Sequence, residues 1–280
     1  MHLSGGTRTL LRIGTAITLA FLYIPLVVVG LYAFNGQTVQ RWPIQEWSLK
    51  WFDKALNNHG VRDALLTSVK AGLGATAIAL VLGTAASFAV ARYRFFGRDT
   101  ISFLVVLPIA LPGIVTGMAL NTTFSQVLGV SLGLFTVIVG HATFCIVVVF
   151  NNAVARLRRT SRSLEEASVD LGADAVQTFR RVTFPQLRSA LVAGALLAFA
   201  LSFDEVIVTT FTAGSQETLP IWILTNLSRP HQLPIVNVVA LVAILLSLIP
   251  VYLAQRLTAD ALQSAAPGGG GDQAAAAPVP

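Results

Sequence analysis

Six stretches of about 20 predominantly apolar residues, each long enough to cross the hydrocarbon of a bilayer as a helix, recur along this 280-residue chain. They cover residues 13–34, 71–91, 101–124, 133–150, 190–213 and 235–254. In lipid every N–H and C=O must find a partner within the protein, so such runs fold as helices that satisfy themselves. They predict an all-α integral membrane protein with six transmembrane helices. The composition agrees, because 54% hydrophobic against 11% charged residues leaves too little polar surface for a soluble domain. The first run imitates a secretory signal behind Arg8 and Arg12. It is too long for one and no small-x-small cleavage site follows, so it reads as an uncleaved span. The second can begin outside the bilayer near Val61, with Lys70 snorkelling to the interface.

The formal charge of +6 would suit nucleic acid or a membrane surface, and the distribution of arginines selects the membrane. Arg8, Arg12, Arg92, Arg94, Arg98, the arginines from Arg156 to Arg188, and Arg256 fall on one side of a six-span topology; Arg41, Lys50, Lys54, Arg62, Lys70 and Arg229 fall on the other. The positive-inside rule then places both termini and the loop 154–188 in the cytoplasm. The domain reading is a cytoplasmic N-terminus over 1–12, a transmembrane domain over 13–257, and a low-complexity, disordered cytoplasmic tail over 258–280. The outer loop "RWPIQEWSLKWFDKALNN" carries three tryptophans and reads as an interfacial helix or lid.

Within the spans, Ala75, Ala79 and Gly83 form a small-residue ridge that admits a close neighbour. Pro108 and Pro112 in "LPIALPGIVTG" remove two backbone donors, which either breaks the third span around a cavity or kinks it. Asp204 and Glu205 interrupt the fifth span, next to Ser202; carboxylates at that depth face a pathway or brace a partner helix. As neighbours on a helix they point about 100° apart and need not do the same job. They lie about 24 Å along it from Arg188, toward the outer leaflet. His141 and Cys145 stand one turn apart without a second ligand pair or triad, so the reading is a packed or hydrogen-bonded histidine and no metal site.

The loop between the fourth and fifth spans is "EEASVDLGADAVQTFRRVTFPQL". Ser163 and Glu166 have capping-box spacing, Gly172 ends the helix they open, and Asp174 with Gln177 repeats the box for a second helix that must stop near Pro185. Leu164, Ala167 and Leu171 share a face of the first, and Val176 and Phe179 share one of the second. The spacing Glu166-Ala167-Ser168, three residues, Gly172, nine residues, Val182-Thr183-Phe184-Pro185 resembles the cytoplasmic loop of permease subunits of bacterial binding-protein-dependent ABC importers, whose pattern is E-A-A, G, I-x-L-P. Ser168, Val182 and Phe184 depart from it conservatively. The resemblance implies a type I importer permease fold in the bacterial cytoplasmic membrane and a coupling helix that docks on a separate ATPase. The implied coupling residues are Glu166, Ala167, Ser168, Leu171, Gly172, Ala173, Phe179 and Pro185. Glu166 serves as capping partner, as ATPase contact, or as both.

No G-x-x-x-x-G-K-[ST] motif surrounds any lysine, so the chain is read as non-catalytic, with no cofactor of its own and with ATP and Mg on the partner. The stretch "LSFDEVIVTTFTAGSQETLPIWI" further resembles the spermidine/putrescine branch of these permeases. That branch implies a homologous permease, two ATPase copies and an extracytoplasmic binding protein, with Asp204, Glu205, Ser202, Pro108 and Pro112 along the pathway. Two acids suit a polycation. Related branches carry phosphonate, iron or thiamine, and an ion-coupled secondary transporter is the alternative of another class.

Overall fold

The structure, a computed structural model, describes residues 5–263. Among them are twelve α-helices and two π turns: α1 Gly5–Ala33, α2 Lys50–Leu56, α3 His59–Arg92, α4 Arg98–Ala110, α5 Gly113–Thr122, α6 Leu134–Arg159, α7 Ser163–Asp170, α8 Ala175–Thr178, α9 Phe184–Phe203, α10 Ile207–Thr212, α11 Leu219–Leu227 and α12 Leu233–Gln263. The π turns are Thr123–Val127 and Phe179–Thr183. Five helical stretches are long and apolar enough to cross a membrane, and the bent pair α4 and α5 makes a sixth. The helix α12 continues to Gln263, into the stretch read as tail; residues 264–280, with the rest of that expectation, lie outside the described residues.

The core sits where α3, α6 and α9 meet, and α12 packs on α9 as well. Small residues decide how closely they approach. Ala75, Ala79 and Gly83 are buried as the ridge predicts, and the neighbour is α6: a Cβ added at Gly83 would lie 3.0 Å from the carbonyl oxygen of Ile146 and 3.1 Å from Val149. The helix α3 starts at His59, capped by Asn58, whose side-chain oxygen accepts from the Val61 N–H at 3.2 Å. The outer loop, residues 41–58, contains the short helix α2, tied down by Trp51, whose indole N–H donates to the Asn35 carbonyl at 2.9 Å. By contrast α1 lies along α12 with almost all its surface exposed.

Two spans are broken. The third turns through 102° between α4 and α5. Only the second of its prolines marks the break: Pro108 lies inside α4, while Pro112 precedes α5 and forces Leu111 into extended backbone at φ −79° and ψ 145°. The fifth span stops at Phe203 and resumes as α10, so Asp204 and Glu205 lie in a turn and not on a continuous helix. No proline or glycine signals that break; the Glu205 carboxylate makes it, accepting the Val208 N–H at 2.9 Å at the start of α10. The two broken spans meet. Ile207 and Phe211 of α10 sit over Gly113 and Gly117 of α5, and Asn121 donates to the Phe211 carbonyl at 2.6 Å.

Candidate functional site

The loop at the arginine-rich end is held by one carboxylate. Glu165 Oε1 accepts from Arg92 Nη2 at 2.9 Å, from Arg92 Nε at 3.1 Å and from the Thr183 hydroxyl at 3.1 Å. Arg92 also donates to the Leu157 carbonyl at 3.3 Å. One largely buried ion pair thus joins the end of α3, the end of α6, the helix α7 and the π turn before α9. Nothing in the sequence singles out Glu165, because its partners, Arg92 and Thr183, are remote in the chain and no local spacing points to them. Its neighbour Glu166 is exposed and faces Arg162 at 3.6 Å. The capping box expected between Ser163 and Glu166 does not form: Ser163 pairs with the Ser161 hydroxyl at 2.6 Å, and the residue preceding α7 is Arg162, with no side-chain cap.

The glycine elbow forms as its residue types require. Gly172 has φ +85°, its N–H donates to the Val169 carbonyl at 2.8 Å, and the Ala173 N–H donates to the Ser168 carbonyl at 3.0 Å, the paired bonds of a Schellman motif. Asp174 and Gln177 complete their capping box, with the Gln177 N–H on the Asp174 carboxylate at 2.8 Å. Ser168 explains its own departure from alanine, since its hydroxyl donates to the Glu165 carbonyl at 3.0 Å and pairs with the Thr178 hydroxyl at 2.7 Å across the elbow. The second helix does not stop near Pro185. The chain is helical from Ala175 to Phe203, because the π turn shifts the register and puts Pro185 in the first turn of α9, where its missing N–H is tolerated. Phe179 packs on Phe88 at 5.8 Å and near Phe184 at 6.1 Å, separated in role from Val176. Among the residues left outward are several apolar ones: Leu171 is 89% and Val176 74% exposed, beside exposed Leu164, Ala167 and Val169, while Ala173 is half-buried.

At the break in the fifth span the two acids separate. Asp204 is exposed, and among the described residues its carboxylate has no hydrogen-bond or ion-pair partner; Glu205 is half-buried and caps α10. Ser202 is not on a surface at all, being 2% exposed with its hydroxyl 2.7 Å from His141 Nδ1. Pro108 and Pro112 flank the bend that brings α5 onto α10. Between α3, α9 and α12 runs an apolar groove of about 1170 Å³, bounded by Phe88, Phe179 and Arg188 at one end and by Phe199 and Phe203 at the other. It leads along α9 to the residue before Asp204. Among the described residues no three His, Cys, Asp or Glu side chains lie close enough to share a metal ion.

Residues 79–262 match the family described as binding-protein-dependent transport system inner membrane component. The spermidine/putrescine transport system permease protein PotC of Haemophilus influenzae is 34% identical over 241 residues, covering 85% of this chain and 92% of that protein. The putrescine transport system permease protein PotI of Escherichia coli is 32% identical over 214 residues, 74% of this chain and 75% of that protein. In fold, the chain resembles a bacterial ABC transporter involved in the import of the acidic polysaccharide alginate, with TM-score 0.69 and 16% identity over 91% of this chain and 99% of that one.

Proposed function

The chain belongs to the family of binding-protein-dependent transport system inner membrane components, and from that premise we propose that it forms half of the translocation pathway for a polyamine. The observation that carries the cargo is identity above 30% to a spermidine/putrescine permease across most of both chains. The exposed Asp204 carboxylate at the break supports it, since an unpaired anion at membrane depth attracts a polycation more strongly than one in water. The complete importer consists of this chain, a homologous permease, two copies of an ATPase and an extracytoplasmic binding protein. Both termini and the loop 154–188 lie in the cytoplasm. There the apolar face around Leu164, Leu171 and Val176 docks on the ATPase, and the Glu165–Arg92 pair carries the movement of α7 to α3 and α9.

The cargo is tested by reconstituting the five-chain complex in proteoliposomes and measuring uptake of radiolabelled spermidine against an excess of unlabelled competitor. Putrescine and spermidine compete, whereas a phosphonate, thiamine and ferric citrate do not. Uptake blocked by one of those three and untouched by putrescine would refute the polyamine.

A further inference from the structure

His141 is completely buried on α6, with its ring between the two sides of the broken fifth span. Nδ1 lies 2.7 Å from the Ser202 hydroxyl, near the end of α9, and Nε2 lies 2.8 Å from the Thr209 hydroxyl, on α10. Hydrogen bookkeeping fixes the directions. The Thr209 hydroxyl has one proton and gives it to the Glu205 carbonyl at 2.8 Å, so toward His141 it accepts, and Nε2 carries the N–H. In a neutral imidazole Nδ1 is then the acceptor and Ser202 the donor. The chain of bonds runs from Ser202 through the imidazole and Thr209 to the backbone of Glu205, spanning the turn that holds Asp204.

We propose that His141 is a positioning residue that clamps α9 to α10 and thereby fixes the acidic turn at Asp204 and Glu205 for the cation. The imidazole suits this place because its two nitrogens diverge from one rigid ring, so a single side chain reaches both helices. A hydroxyl, with its single oxygen, has no such pair of diverging atoms. The clamp acts on uptake through Asp204, and in that respect it rests on the polyamine reading; the bonding pattern itself does not.

The test uses the assembled complex in lipid with [15N]histidine in this chain, which has four histidines. The His141 signal is assigned as the one absent from His141→Phe. The clamp predicts a protonated Nε2 and an unprotonated Nδ1, with the Nε2 signal displaced in Thr209→Val and retained in Thr209→Ser. In spermidine uptake, Thr209→Val raises the half-saturating concentration about fivefold, the scale of one lost hydrogen bond, while the maximal rate is kept. Thr209→Ser stays at the wild-type value, because the hydroxyl is what the clamp uses. A protonated Nδ1 in the wild type, or Thr209→Ser as impaired as Thr209→Val, overturns the proposal. If His141→Phe does not assemble, the Thr209 pair decides alone. If the wild type takes up no spermidine, the cargo reading fails, and the imidazole spectrum still judges the clamp.

Discussion

Asp204 and Glu205 are neighbours with the same chemistry and different employment, because one carboxylate is spent on the Val208 N–H and the other is not. Asp204→Asn therefore raises the half-saturating polyamine concentration about tenfold, the loss of roughly 1.4 kcal/mol of attraction, with assembly unchanged. Glu205→Gln keeps an oxygen for the same N–H and assembles normally; Glu205→Ala loses the cap and lowers the unfolding temperature by the scale of about 1 kcal/mol. Uptake kinetics and thermal unfolding of the purified complex check both. Glu165 is the counterpart at the other end of α9. Glu165→Ala leaves the Arg92 guanidinium largely buried with only the Leu157 carbonyl and costs about 2 kcal/mol, whereas Glu165→Ala combined with Arg92→Ala costs less than the two separately. An additive pair in thermal unfolding would refute the tether. Glu166, exposed beside it, is expected to tolerate Gln without loss of stability.

At the scale of elements, the loop shows how far local chemistry reaches. Gly172 was legible because only a left-handed residue closes that elbow, and Asp174 with Gln177 because both ends of a capping box lie within one turn. The bond of Glu165 to α3 was not legible, since Arg92 precedes it by most of two spans. Pro185 misled for a related reason: a proline stops an α-helix, but a π turn laid down just before it resets the register, and no residue type announces a π turn. A Cβ at Gly172 meets nothing within 4 Å, so its substitution acts through the backbone alone. Gly172→Val costs about 1–2 kcal/mol at that φ and uncouples ATP hydrolysis from uptake, while Gly172→Asn, which tolerates the left-handed region, stays coupled. The ratio of substrate moved to ATP hydrolysed reads this out, and equal ratios in Val and Asn variants would contradict it. Between the broken spans the constraint is space. A Cβ at Gly117 falls 2.6 Å from the Phe211 ring, so Gly117→Ala forces α5 and α10 apart at a cost of about 1–3 kcal/mol, visible as a lower unfolding temperature.

For the whole molecule, the apolar runs announced six spans; the structure has five helical stretches long and apolar enough to cross a membrane and the bent pair α4 and α5 as a sixth, with a turn after Phe203 inside the run expected as the fifth. The break in the third was foreshadowed by Pro112; the break in the fifth depends on a side chain folding back on its own backbone and left no apolar gap to read. The orientation expected from the arginines is tested by labelling: cysteines at Asn57 and Ser215 are expected to react with an impermeant reagent outside sealed cells, and one at Ser163 only after permeabilisation. In the proposed importer the energy enters through the exposed apolar residues of the loop, from a separate ATPase. The most direct measurement of this is spermidine uptake into proteoliposomes with the ATPase subunit present or omitted, for the wild type and for Leu171→Asp, which puts a charge on the most exposed apolar residue of that loop. The expected result is uptake that needs both ATP and the ATPase, and that falls at least about tenfold in Leu171→Asp because a desolvated carboxylate opposes docking. Uptake that persists without the ATPase and follows an imposed ion gradient would contradict it.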